Sequence, residues 1–399
     1  MGTLRQLLWW GQLAGCYLFV FFSPFWTSGA EVALGLALIS WVLDWLFEFP
    51  RPFPASFLLF PTLVFFSALI LSALFGFSFT RSLVFILKQW VFFALFFFTL
   101  RLKDEPIRQK VFLIFGVSAG LVALYSILQA FTGWDFGLVE PMEPLGRHFR
   151  SRGFFNVKLT FGLYFSLTAL TFLALGRPKR KEAMGKFFLF VSALSYLAVL
   201  FGAVRAGLLA TAAGFFLYLF LSIEKQKVYL AGGAALLTLF AWGANSSLFS
   251  RFELVQRFDF QAGNPESRAA IWQRSYEIFQ DQPVLGLGPD NFRAAYAPRV
   301  AGLQTTLYGH AHNEFFTILV YSGLFGLAAF IFFWKELAVR LWENFRQNRA
   351  SPHLLTGFLV LTAYLLYAQF ESSLVYREIR MVLFFLLGAA LAGREPKTA

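Results

Sequence analysis

Phe57-Leu-Leu-Phe-Pro-Thr-Leu-Val-Phe-Phe-Ser-Ala-Leu-Ile-Leu-Ser-Ala-Leu-Phe-Gly76 carries no charged residue. An α-helix needs about 20 mostly apolar residues to cross the hydrocarbon of a bilayer. The stretch is therefore read as a spanning helix, and it has company. Comparable runs lie near 7–26, 29–47, 83–100, 111–131, 157–176, 187–203, 206–223, 228–243, 313–334, 354–371 and 381–393, about twelve spans in all.

Composition agrees. The 399 residues are 58% apolar and 14% charged, with 55 Phe and 11 Trp. A soluble domain holds about half apolar and a quarter charged residues. That shift excludes a soluble enzyme, a disordered chain and a fibrous repeat. Alternating barrel-type hydropathy is absent, so the expected fold is an all-α integral membrane protein. One cysteine excludes a disulfide framework and a thiolate metal cluster. The net charge of +12 matters less than where each charge lies, and no nucleic-acid partner is expected. Leu13-Ala-Gly-Cys16 resembles a lipoprotein cleavage site, but the residues after it stay apolar, so 7–26 is read as the first span.

Lysine and arginine in short loops set the orientation. Arg101, Lys103, Arg108 and Lys110 fall on one side with Arg177, Lys179, Arg180, Lys181 and Lys186. Lys225, Lys227, Lys335, Arg340, Arg346, Arg349, Arg394 and Lys397 join them. That side is read as cytoplasmic, with both termini on it. The loop 132–156 and the long segment 244–312 then face outward. The chain divides into spans 1–9 (1–243), an outer loop (244–312) and spans 10–12 (313–399).

The outward segments nevertheless hold many arginines, among them Arg147, Arg150, Arg152, Arg205, Arg268, Arg274 and Arg299. Guanidinium is planar, always charged and matched to phosphate oxygens. An arginine-lined outer surface suits an anionic, phosphorylated lipid. The competing reading pairs these arginines with outer acids such as Glu266, Glu277, Asp281 and Asp290. Arg205 is the sharpest case, because Phe201-Gly-Ala-Val-Arg205-Ala-Gly207 joins two apolar helices with almost no polar linker. A charge there needs water or a partner. Lys88, inside its span, is either a second cation in the same cavity or a snorkelling lysine.

In the outer loop, Asn264-Pro265-Glu266 reads as a helix start. The residues from Ser267 to Phe279 have helical apolar spacing and should form an amphipathic helix, stopped at Asp281-Gln-Pro283. Gly286-Leu-Gly288-Pro-Asp-Asn291 reads as a turn and opens no βα unit, so it does not bind nucleotide. Tyr308-Gly-His310-Ala-His312-Asn313-Glu314 then places two histidines just before a span. A neutral imidazole there suits a general base. Zinc would need a third ligand and supporting hydrogen bonds, neither of which is evident. Purely structural histidines are the third reading.

Glu266-Ser-Arg268, Trp272, Pro283, Gly286-Leu-Gly288, Asn291-Phe292, His310-Ala-His312-Asn313-Glu314-Phe and Gly323-Leu-Phe-Gly326 together resemble the O-antigen ligase and polymerase superfamily. Val204-Arg205-Ala-Gly207 is similar to its upstream arginine motif. The resemblance implies a GT-C-type glycosyltransferase, with one large periplasmic loop between spans 9 and 10, in the bacterial inner membrane and with its site facing the periplasm. It implies transfer of a glycan from undecaprenyl diphosphate to lipid A–core, with no metal, nucleotide sugar or other cofactor. His312 matches the catalytic histidine, with His310 beside it; Arg205 and Arg268 match the arginines that hold the diphosphate. Arg274, Lys88, Arg147, Arg150 and Asn313 are further candidates for substrate contact, and the membrane lipids are partners. Attack opposite the leaving group would invert the anomeric centre. A polymerase, a protein O-glycosyltransferase and a lipid-oligosaccharide flippase are the alternatives. The loop pattern associated with the polymerase, Arg followed by Gly eleven positions on, is missing from the long outer loop: Arg257 leads to Arg268 and Arg299 to His310.

Overall fold

The computed structural model describes residues 2–47, 55–136, 142–176, 181–221 and 265–393, with 231, 235 and 238 in addition. The expected span 228–243 and the start of the outer loop, with Arg251 and Arg257, lie outside the described residues, apart from those three positions. The helices are α1 (Gly2–Phe22), α2 (Thr27–Phe47), α3 (Leu59–Phe75), α4 (Phe79–Leu87), α5 (Phe93–Arg101) and α6 (Glu105–Thr132). They continue with α7 (Lys158–Gly176), α8 (Ala183–Gly202), α9 (Arg205–Leu221), α10 (Arg268–Asp281) and α11 (Phe292–Arg299). The last three are α12 (Glu314–Gln347), α13 (Pro352–Tyr367) and α14 (Arg377–Ala392). A two-residue hairpin, β1 (Pro144–Leu145) and β2 (His148–Phe149), sits in the loop between α6 and α7.

Among the described residues, seven helices are long and apolar enough to cross a membrane; Arg205–Leu221 and Pro352–Tyr367 are shorter apolar helices. Cys16 lies fully buried within α1. At the centre, α7 is buried nearly all round. It approaches α9 closely because two glycines meet: a Cβ on Gly207 would lie 3.1 Å from the Gly162 backbone. Ser166 donates to the carbonyls of Gly162 and Gly207 across this contact. Small residues and interhelical hydroxyl bonds are the usual means of joining helices where water does not drive association.

Three expectations change. The fourth span starts at Phe79 and is interrupted by a 3₁₀ segment, Lys88–Phe92, which leaves Lys88 at a break and not within a continuous helix. The outer-loop helix begins at Arg268, where the Ser267 hydroxyl caps the amide of Ala270, three residues later than the Asn264 cap suggests. This helix also packs on protein: Trp272 stacks on Phe316 at 5.9 Å.

The largest change concerns 313–334, which is not one straight span. Ser322 and Gly323 leave helical geometry, and Gly323 has φ 62° and ψ −164°, a region essentially closed to other residues. The ring of Phe315 comes 5.9 Å from that of Phe330. In a straight helix those residues would stand roughly 22 Å apart along the axis, at 1.5 Å per residue. The first half, Glu314–Tyr321, therefore folds back along the second. Glu314 ends up beside the body of the second half, about 10 Å from its tip.

Segment 283–291 satisfies the broken backbone. Leu287 N–H donates to Val320 O and Gly288 N–H to Tyr321 O, while Leu324 and Phe325 donate to the carbonyls of Pro283 and Val284. The Ser72 hydroxyl of α3 donates to Tyr321 O at 2.5 Å and accepts from Gly288 N–H at 3.1 Å. Asn291 amide donates to Ser82 Oγ and to the carbonyls of Ser78 and Leu287. The Gly286–Gly288 motif is thus the counterpart of Gly323: a Cβ on Gly323 would lie 2.2 Å from Val284 O, and one on Gly286 2.6 Å from Gly323 N.

Candidate active site

The fold-back of α12 brings Ala311–Glu314 against the connection between α13 and α14. Glu314 N–H donates to Ala368 O at 2.8 Å. The Asn313 side chain caps the half-helix by accepting from Phe316 N–H at 3.0 Å, and donates to Gln369 O at 3.0 Å. Thr317 bonds Ser372 hydroxyl at 2.6 Å and accepts from Ala311 N–H. The Glu314 carboxylate is buried and accepts from Leu374 N–H at 2.9 Å and from Ser373 Oγ. Each of Asn313, Glu314 and Thr317 thus grips residues flanking Glu371. In this geometry Asn313 serves the backbone.

Glu371 is the residue the sequence reading missed. Its carboxylate is 1% exposed and lies 2.9 and 3.0 Å from His312 Nδ1. It also accepts from Ser372 N–H at 3.1 Å, stands 3.6 Å from His310 Nδ1 and 3.8 Å from Arg268 Nη2. Arg268 Nη1 donates to His312 O at 3.0 Å, and Trp272 indole N–H to Ala311 O at 3.1 Å. His312 itself has φ 51°, a left-handed backbone that costs a non-glycine residue of order 1–2 kcal/mol and that surrounding contacts must hold.

The two histidines differ in their bonds. His312 N–H donates to His310 Nδ1 at 3.3 Å, so that nitrogen is the acceptor; His310 Nε2 then faces the Tyr376 hydroxyl at 3.4 Å. Burial, with His312 and Arg268 nearby, pulls His310 down to about 4 despite Glu371, so it is neutral near pH 7. Burial pushes the Glu371 carboxyl up, but the hydrogen bond from His312 and the nearby Arg268 guanidinium pull it down further. The group ends below the ordinary carboxylate value. A carboxylate then accepts from His312 Nδ1–H, which makes Nε2 the basic nitrogen. His310, His312 and Glu371 each offer a ligand atom within 4.8 Å of the others, so the third ligand that the sequence lacked is present.

The remaining candidates fall into separate groups. Arg150 donates to Gly202 O at 2.9 Å and pairs with Glu143, as does Lys158. With Arg152 and Asn156 they line a cavity of about 440 Å³. Tyr367 bonds toward both regions: its phenol donates at 2.7 Å to the carbonyl of Leu159, which lines the cavity, and its own carbonyl accepts from Glu371 N–H. The bond to Gly202 also ties Arg150 to the corner where Arg205 opens α9. That corner is tight, because a Cβ on Gly202 would lie 2.7 Å from Phe161. Lys88 lies near Asp290, whose carboxyl is raised by burial against the pull of Lys88 and Arg81. Its neighbour Gln89 shares a small cavity with Glu314. Arg274 donates to Pro265 O at 3.0 Å, and Arg147 lies exposed at the hairpin tip. The acid-pairing alternative holds for Arg299 with Asp281 and Arg152 with Asp135.

Residues 187–331 match the family model described as O-antigen ligase. No curated protein matches the chain. The match takes in Arg205, Arg268, His310 and His312; Glu371 lies beyond it.

Proposed function

We propose that this chain, which carries an O-antigen ligase family domain across residues 187–331, is a membrane glycosyltransferase. It moves a glycan from a lipid diphosphate, undecaprenyl diphosphate by family analogy, to a sugar hydroxyl of lipid A–core on the periplasmic face. His312 is the general base. The observation that supports this most strongly is the Glu371 carboxylate 2.9 Å from His312 Nδ1. It holds the ring so that Nε2 can take the acceptor proton, and it steadies the imidazolium that forms, as carboxylates do in hydrolase triads. Such a base contributes roughly 10²–10⁴-fold.

The leaving lipid diphosphate gains negative charge as the glycosidic bond breaks. Arg268, bonded to His312 O at 3.0 Å and 3.8 Å from Glu371, stands beside the base and is the guanidinium assigned to that charge. Arg205, Arg150 and Lys88 are the further cations assigned to donor phosphate and its approach. No step assigned to these residues uses a bound metal. Attack by the acceptor oxygen opposite the diphosphate inverts the anomeric carbon.

The test is reconstitution of the purified protein with lipid-linked glycan and lipid A–core. Transfer to core with inversion is expected. Chain growth on the lipid carrier indicates a polymerase, and lipid-linked glycan moved across the bilayer without a covalent product indicates a flippase.

A further inference from the structure

We propose that His310, His312 and Glu371 form an inhibitory zinc site that switches off the base by claiming His312 Nδ1. The ligand set is two imidazole nitrogens and one carboxylate, the set that open zinc sites use with a fourth position left over. A tetrahedral ion with bonds of about 2.0–2.2 Å keeps its ligand atoms roughly 3.3–3.5 Å apart. Glu371 Oε1 is 3.6 Å from His310 Nδ1, and Oε2 is 2.9 Å from His312 Nδ1. All three residues offer ligand atoms within 4.8 Å of one another, and rotation of the His310 and His312 side chains, 13% and 17% exposed, must draw them in to the tetrahedral spacing.

Metal ligands usually have their other polar atoms held by neighbours. Here Tyr376 hydroxyl meets His310 Nε2 at 3.4 Å, and Ser372 N–H holds Glu371 Oε1 at 3.1 Å. Two features oppose binding. Arg268 Nη2 stands 3.8 Å from Glu371 Oε2, and His312 N–H must release His310 Nδ1. The site should therefore bind zinc far more weakly than a structural zinc centre. Magnesium, which demands oxygen ligands and octahedral geometry, should not bind.

The inhibitory effect rests on the transferase reading, whereas binding does not. In the active ring the proton is on Nδ1 and the lone pair on Nε2. Zinc takes the Nδ1 lone pair; the Nδ1 proton leaves to water and another is taken up at Nε2. The ring keeps one proton, no proton is released overall, and the nitrogen that would accept the acceptor's proton is filled. Glu371 meanwhile exchanges its bond to His312 for a bond to the ion.

The test uses untagged, full-length protein in detergent after chelator treatment. Calorimetry should give one zinc per chain, at least tenfold weaker in Glu371→Gln and in His310→Asn, with no magnesium binding. A measurement on the native chain avoids any folding defect in the variants: zinc should protect His310 and His312 from diethyl pyrocarbonate. Zinc should also inhibit transfer, and chelator should restore it. Absence of saturable binding, equal binding in folded variants, or no protection overturns the site. Binding without inhibition overturns its regulatory role. Failure of chelator-treated enzyme to turn over donor and acceptor counts against the transferase reading and leaves the binding result standing.

Discussion

His312 Nδ1 lies 2.9 Å from Oε2 of Glu371, a residue 59 positions later in the chain. The reversal at Ser322–Gly323 allows this, because it returns Glu314 to the level at which α13 ends and donates its amide to Ala368 O. A bond between a buried carboxylate and an imidazole fixes both the ring's orientation and its tautomer. The chemistry assigned to the site depends on that bond.

Glu371→Gln tests the charge without removing the shape. The amide oxygen can still accept from Nδ1–H, but it cannot stabilise an imidazolium. Turnover is expected to fall roughly 10²–10⁴-fold, with donor affinity nearly kept. Single-turnover transfer alongside a donor-binding measurement separates the two. A loss of donor affinity as large as the loss in turnover would assign Glu371 to binding.

Arg268→Lys keeps a cation and loses the planar fork. Lysine cannot donate to His312 O and face a diphosphate in the same arrangement. Donor KM should rise and kcat fall, each by roughly tenfold or more, with Arg268→Ala worse on both. A lysine variant with native kinetics would mean that Arg268 acts only as a point charge.

Gly323→Ala should damage the fold. The new Cβ would lie 2.2 Å from Val284 O at φ 62° and ψ −164°, so a strain of about 1–3 kcal/mol adds to a collision with backbone. Gly302→Ala is the control: φ is +81°, but nothing lies within 4 Å of the added carbon, so only a left-handed cost of about 1–2 kcal/mol remains. Thermal unfolding in detergent should rank the two clearly, with the Gly323 variant far less stable.

Asn313→Ala removes a helix cap and a tether together. The cap alone is worth about 1 kcal/mol, and the bond to Gln369 O holds the segment that carries Glu371. Stability and kcat should both fall, while donor KM changes little. A variant in which only donor KM rises would mean that Asn313 contacts substrate directly.

Much of this was legible in the sequence, for definite reasons. Apolar runs such as 57–76 report helices because lipid leaves the backbone no other way to satisfy its hydrogen bonds. His310 and His312 stood out because two of the chain's four histidines lie two residues apart just before a span. The break at Gly323 was hidden: hydropathy measures length and apolarity, and both halves of α12 are apolar. Its sign was present in paired glycines, Gly286 and Gly323, whose need for each other only three-dimensional contact reveals. Glu371 was overlooked because it sits at the apolar end of a long run and was absorbed into the span 354–371. An acid at the end of a span is itself a signal, and weighing it with the histidines would have suggested the pair. Asn313, a candidate substrate contact from its place beside His312, also caps Phe316 N–H and donates to Gln369 O, a structural role that its sequence position alone does not reveal.

The most direct test of the central claim is transfer by His312→Ala in the reconstituted system, with donor binding measured on the same protein. Donor affinity should stay close to the native value while product formation falls by two or more orders of magnitude. Transfer at the native rate by a folded His312→Ala protein would contradict that claim.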